Sequence, residues 1–274
     1  MHRRLCLSLL AVLPALAGAE CRYTADRNFD VPASGLAMIE FDLSSNDLVL
    51  EGVPGLAQVE VRGRACASDE SWLDELTVEQ RRSGDRLEIR PHDGHVRFNN
   101  AFGSNYAYVD LHVRVPPRMA TKIKSASGDA DARDLAAVDF ETSSGDLQVA
   151  HVAGDLRLEV SSGDVRGEDI GRADIPRTSS GDIRLRNVHG PVELGSVGSG
   201  DIVLDTVGGV RVGSVGSGDI SIADAAGDVS VDSIGSGDVS VDGVDGDFHV
   251  GSRGSGDIHH RNVRGTVSIP RDDD

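Results

Sequence analysis

The tripeptide Ser-Gly-Asp closes at Asp129, Asp146, Asp164, Asp182, Asp201, Asp219, Asp238 and Asp257, at intervals of 17, 18, 18, 19, 18, 19 and 19 residues. A period of this length that contains no helical pattern is one coil of a solenoid, in which each unit buries its apolar face only by stacking on its neighbours. Within a coil the order after Asp is apolar-x-apolar-x-x-apolar-x-Gly-x-apolar-x-apolar, as in DIVLDTVGGVRV at 201–212. Alternation on both sides of a Gly predicts two short strands joined at a tight corner. Glycine recurs too often for a helix interior. Superposing coils puts Ile202 beneath Ile220 and Val239, Leu204 beneath Ile222 and Val241, and Val207 beneath Ala225 and Val244. These matched columns predict an all-β chain, a single-stranded parallel β-helix with coils about 4.8 Å apart. Its core is thin and its stability comes from neighbour contacts.

The first 19 residues read as a secretory signal peptide: basic His2, Arg3 and Arg4, an apolar run from Leu5 to Leu16, then Ala17-Gly18-Ala19. Glu20 stands where a lipidation signal needs a small residue before Cys21. No later stretch approaches the roughly 20 apolar residues of a membrane-spanning helix. Loss of Arg3 and Arg4 with the signal takes the formal charge from −18 to −20. So acidic a chain is unsuited to nucleic acid or anionic lipid, whose phosphates select Lys and Arg. Of three cysteines, Cys6 departs with the signal, leaving Cys21 and Cys66. An even pair in an exported chain predicts a disulfide, which closes a loop worth about 4 kcal/mol in the chain-entropy treatment.

Residues 20–126 read as an N-terminal β region, and 127–270 as the repeat array. SNDLVLEGVPGLAQVEV at 45–61 follows the coil template, with Asn46 in place of Gly as the next-best residue for a left-handed corner. It is expected to be a first coil. Residues 62–105 are then an insertion, with TVEQRRSGDRLEIR (77–90) a hairpin turning at Ser83-Gly84-Asp85. YAYVDLHVRV (106–115) alternates as a strand and leads through Pro116-Pro117 into the array. With Trp72, Phe98, Phe102, Tyr106 and Tyr108, the insertion is expected to cap one end, where an open edge would invite aggregation. At the other end Pro270 and the acidic tail 271–274 are expected to discourage strand addition.

The signal peptide, the SNDLVLEG segment, the strand ending in VRVPP and the tandem SGDI/SGDV coils together resemble the bacterial "putative adhesin" family of β-strand-repeat envelope proteins. The half-repeats Gly154-Asp155, Gly227-Asp228 and Gly246-Asp247 share in the resemblance, which covers residues 33–270. It implies a right-handed β-helix in the cell envelope and brings no catalytic residues with it. Exported adhesins of the autotransporter kind carry a C-terminal barrel. None is found here, so the periplasm is the expected location.

Stacked aspartates about 5 Å apart repel by roughly 0.8 kcal/mol per exposed pair in water, so each must gain something at its own coil. The expected gain is local: the carboxylate accepts N–H groups of its own turn while Gly takes a positive φ. Calcium between coils is the alternative, yet the nonapeptide calcium roll spaces its Gly, Asp and apolar residues differently. A polysaccharide lyase or hydrolase is a further alternative. Carboxylate spacing does not favour it, because any stacked column meets the required distances, and the array has only Phe140 and Phe248 as aromatics. His260 falls at an inward position near His249 and His259, which suggests either a metal site or a last coil open to water. The reading favoured is a non-enzymatic, adhesin-like binding or structural module with no cofactor and no metal. Its partner would be an envelope protein or a polysaccharide, met by a flat acidic surface with Arg184, Val203, Arg211, Ser221, Ser240 and His249 facing out.

Overall fold

The computed structural model describes residues 21–93 and 105–270. The signal peptide, Phe98, Phe102 and the tail 271–274 lie outside the described residues. The chain is a parallel β-solenoid built of two ladders. Strands that follow the Ser-Gly-Asp corner pair with one another in the corner ladder, as Ile183–Val188, Ile202–Val207, Ile220–Ala225, Val239–Val244 and Ile258–Val263 do. Strands that come after the second corner pair in the return ladder, for example Val192–Val197, Val210–Val215, Val229–Ile234 and Phe248–Arg253. Two long strands, Leu147–Val160 and Val165–Thr178, run through the second corner and contribute to both ladders. The register agrees with the sequence columns: Ile202 pairs with Ile220, which pairs with Val239, and all are buried.

The double x in the coil template has a backbone cause. Strict alternation would turn the second x inward and the following apolar residue outward. Five residues after each corner Asp stand Asp134, His151, Asp169, Asn187, Thr206, Asp224, Gly243 and Asn262, all with φ between 52° and 75°. This left-handed residue resets the alternation, so that Leu185 and Val188 both face the core. Asn, Asp and Gly accept that conformation with little strain, and the column is accordingly rich in them.

The corner glycines do a different job from the one expected. At the eight array corners from Gly128 to Gly256 the Gly does not have positive φ; it lies directly on the coil below. A Cβ at Gly200 would stand 2.0 Å from the carbonyl oxygen of Gly181, and one at Gly218 would stand 2.1 Å from that of Gly200. Hydrogen in place of a side chain is what lets successive corners touch.

The N-terminal region departs from the expected first coil. The chain leaves the corner ladder after Leu48–Gly52, turns at Pro54-Gly55 with Gly55 at φ +80°, and returns as Gln58–Ala67, antiparallel to Ala107–Val115. The first coil is therefore Met38–Asp42 with Leu48–Gly52, not residues 45–61. Beneath it the insertion adds Arg86–His92 to the return ladder and Ala107–Val115 to the corner ladder, both parallel. Antiparallel strands then finish each ladder: Thr77–Ser83 on one, and Gln58–Ala67 with Tyr23–Asp26 and Phe29–Pro32 on the other. Asn46 is not left-handed either. It is buried, donates to the Leu43 carbonyl at 2.9 Å and accepts the Val109 N–H at 2.7 Å, stitching the first coil to the insertion.

Thr206 is the one β-branched residue among these left-handed positions, and a left-handed non-Gly residue carries about 1–3 kcal/mol of strain. Thr206→Asn is expected to raise stability by about 1 kcal/mol. Urea unfolding of the two proteins measures it, and an unchanged or lower midpoint would contradict this account of the corner.

Candidate functional site

Each corner Asp is tied to the coil below, not to its own turn. The backbone N–H of Asp129 donates to Oδ1 of Asp47, and Asp146, Asp164, Asp182, Asp201, Asp219, Asp238 and Asp257 each donate to the preceding Asp, at 2.8–3.2 Å throughout. In the other direction the residue after one Asp donates to the carbonyl of the next, as Ile202 does to Asp219 and Ile220 to Asp238, both at 2.9 Å. The expected local turn bond is thus replaced by a pair of bonds between coils. A smaller column repeats the device at the half-repeat, where Asp247 donates to Asp228 Oδ1 at 2.8 Å and Thr266 to Asp247 Oδ1 at 2.7 Å. Charge-assisted bonds of this kind are stronger than neutral ones and outweigh the screened repulsion between neighbouring carboxylates.

The column reaches further down than the tripeptide shows. Asp47 is its first acceptor, and Asp110 occupies the same position one strand lower, because Leu48 pairs with Leu111. Partial burial, with a smaller contribution from the charge of Asp47, pushes the Asp110 carboxyl above the usual carboxylate range. A raised native pKa means that Asp110 favours folding below its unfolded pKa and loses this contribution as pH rises through the native value. Asp110→Asn is therefore expected to raise the melting temperature at pH 7 and to leave it nearly unchanged at about pH 3. Melting curves at both pH values test this, and a variant that is less stable at pH 7 would contradict it.

Cys21 and Cys66 are joined by a disulfide with Cα atoms 5.6 Å apart, fastening the N-terminal strand to the closing layer. The histidines do not assemble. His260 pairs in register with Val241 yet is exposed, its ring 6.0 Å from that of Phe248, and no further coil lies over it among the described residues. His249 lies on the return ladder opposite Ser268. Among the described residues no group of three or more His, Cys, Asp or Glu side chains is arranged to hold a metal ion.

The six outward residues named from the sequence divide between two faces. Arg184, Val203, Ser221 and Ser240 form one row on the corner ladder. Arg211 and His249 belong to the return ladder, in register through Ser230. The return face begins as a charge ladder, Lys124 meeting Glu40 at 2.7 Å and Lys122 meeting Asp139 at 2.9 Å, and ends in the serine row Ser196, Ser214, Ser233 and Ser252. The corner face carries a groove of about 490 Å³ lined by Arg133, Arg166, Arg184 and Arg186 together with Asp131 and Glu168. Small residues open it: Ala150 faces out, and Gly167 stands in the inward column between Val149 and Leu185. Of these arginines sequence reasoning singled out only Arg184. The signal that finds the rest is the coil register, which stacks Arg166 under Arg184 and Glu168 under Arg186.

Two parallel ladders, closed at one end by antiparallel strands and stacked through Asp at each Ser-Gly-Asp corner, define a β-solenoid of the repeat class. The chain belongs to the Toastrack DUF4097 family, whose model matches residues 39–207, more than half of its length. A search of curated proteins finds no match. Among solved structures the chain is similar to a putative adhesin from Bacteroides fragilis, 14% identical over 90% of this chain and 97% of that one, with a TM-score of 0.43. It is similar as well to a putative cell adhesion protein from Clostridium sporogenes, 11% identical over 90% and 100%, TM-score 0.33. A putative lipid binding protein from Parabacteroides distasonis is 17% identical over 90% and 97%, TM-score 0.38.

Proposed function

We propose that this chain is an exported, adhesin-like binding or structural module of the bacterial cell envelope, non-enzymatic and resident in the periplasm. Its mature form would begin at Glu20, with residues 20–126 closing one end of the array 127–270. The observation that carries this reading is the use made of the repeated carboxylates. One oxygen of each corner Asp from Asp129 to Asp238 is engaged by the N–H of the next coil. Residues engaged in this way serve the scaffold, and the outward side chains between the corners are what remains for recognition. The Cys21–Cys66 bond agrees with an oxidising compartment.

Expression of the full chain in a bacterial host, followed by fractionation, N-terminal sequencing and thiol titration, tests this proposal. The expected result is a periplasmic protein starting at Glu20 without free thiols, which cosediments with envelope material and releases no reducing ends from envelope polysaccharide. Retention in the cytoplasm as a full-length reduced chain would overturn the export reading. Release of reducing ends that is lost on changing one particular Asp to Asn would overturn the non-enzymatic one.

A further inference from the structure

We propose that the groove on the corner ladder binds an acidic glycan through sugar carboxylates held by Arg166 and Arg184. This deepens the binding-module reading and rests on it. Four arginines meet in one groove of a chain whose formal charge is −18. Their register is regular: Arg166 and Arg184 are paired in adjacent coils, and Arg186 follows Arg184 on the same strand and face. Strand spacing sets the backbones of Arg166 and Arg184 about 4.8 Å apart across the ladder, and alternate residues on one strand are about 6.6 Å apart along it.

These arginines are loosely held by the protein itself. Arg166 meets Asp164 at 3.9 Å, Arg186 meets Asp205 at 3.6 Å, Arg133 meets Glu51 at 3.6 Å and Arg184 meets Asp182 at 3.3 Å. Other arginines on the same solenoid are clasped, Arg90 to Asp42 at 2.7 Å, Arg261 to Asp242 at 2.8 Å and Arg264 to Asp245 at 2.9 Å. A guanidinium has five donors in a planar fork that matches a carboxylate with two parallel bonds. In this groove most of those donors point to no acceptor closer than 3.3 Å.

The acids beside them decide the class of ligand. Asp131, Glu168 and Asp205 line the same groove. An inorganic polyphosphate has no hydrogen to donate to them, and its oxygens would meet them as like charges. A uronate chain offers carboxylates to the arginines and several hydroxyl donors to the acids on every ring. The space over Ala150 and Gly167, about 490 Å³ in all, suits sugar rings. No aromatic residue lines it, so recognition depends on charge and hydrogen bonds instead of ring stacking.

Calorimetric titration of the mature chain with galacturonate hexamer tests the proposal, with galactose hexamer and inorganic polyphosphate as comparison probes. Saturable binding of the galacturonate hexamer alone is expected, weakening as salt is raised. The double variant Arg166→Ala/Arg184→Ala should lose at least about tenfold in affinity while its melting temperature holds, as breaking charged hydrogen bonds would do. Arg184→Lys should lose part of that affinity despite keeping the charge, because the fork is gone. Arg211→Ala, on the opposite ladder, should bind as the parent does. The proposal is overturned if the hexamer does not bind, if the double variant binds as tightly as the parent, or if polyphosphate binds equally well. Cosedimentation with envelope material separates the two readings: a chain that sediments but ignores the hexamer refutes this groove assignment alone, and one that does neither refutes the binding-module reading with it.

Discussion

The solenoid depends on a single repeated bond, the backbone N–H of one corner Asp donating to the side-chain oxygen of the Asp one coil below. A parallel ladder breaks where the chain turns, and a broken ladder leaves N–H groups without acceptors. Here the carboxylate takes the place of the missing carbonyl, and the return bond from the following residue completes the clip. The bond can form only if the corners approach closely, which is why glycine precedes each Asp from Asp129 to Asp257. With a Cβ 1.9–2.1 Å from the oxygen beneath at Gly163, Gly181, Gly200 and Gly218, any other residue would push the coils apart. Charge, hydrogen bonding and close approach thus meet in the same tripeptide.

From this corner the rest follows. The coils sit in register, the left-handed residue five places on returns a third apolar side chain to the core, and the columns of Ile, Leu and Val close over one another. The two ends are finished differently. Antiparallel strands and a disulfide seal the N-terminal end. At the other end Ile258–Val263 has a ladder partner on one side only among the described residues, with His260 exposed above Phe248. Outward side chains on the lateral faces take no part in the corner bonds, and it is there that the arginines of the groove gather.

Much of this was legible in the sequence because a solenoid writes its third dimension as a period. Coil length, inward columns, the hairpin at Ser83-Gly84-Asp85 and the capping position of the insertion can be read by aligning the chain with itself. What could not be read lies one coil away. The partner of Asp219 is Asp201, and nothing local distinguishes that bond from a turn bond. The glycine at the corner looks the same whether it answers a positive φ or a collision. Gln58–Ala67 carries the apolar alternation of a coil strand, and only the reversal at Pro54-Gly55 sends it antiparallel. The left-handed column is written in the sequence as Asp, Asn and Gly at one template position, interrupted by His151 and Thr206, a signal that the sequence reading did not use. Similarly, the groove needed the register to bring Arg166 beneath Arg184.

The central claim is that the corner carboxylates hold coils together as acceptors, and Asp219, bonded to Asp238 at 2.8 Å and exposed, tests it most directly. Urea unfolding of Asp219→Ala and Asp219→Asn separates the acceptor from the charge. The account predicts a loss of about 1–2 kcal/mol for the alanine variant, which leaves the Asp238 N–H without its partner. It predicts that the asparagine variant, which keeps an oxygen and sheds the repulsion, stays within about 0.5 kcal/mol of the parent. An alanine variant as stable as the parent, or more stable, would show that the column is only a line of repelling charges, and would contradict the account.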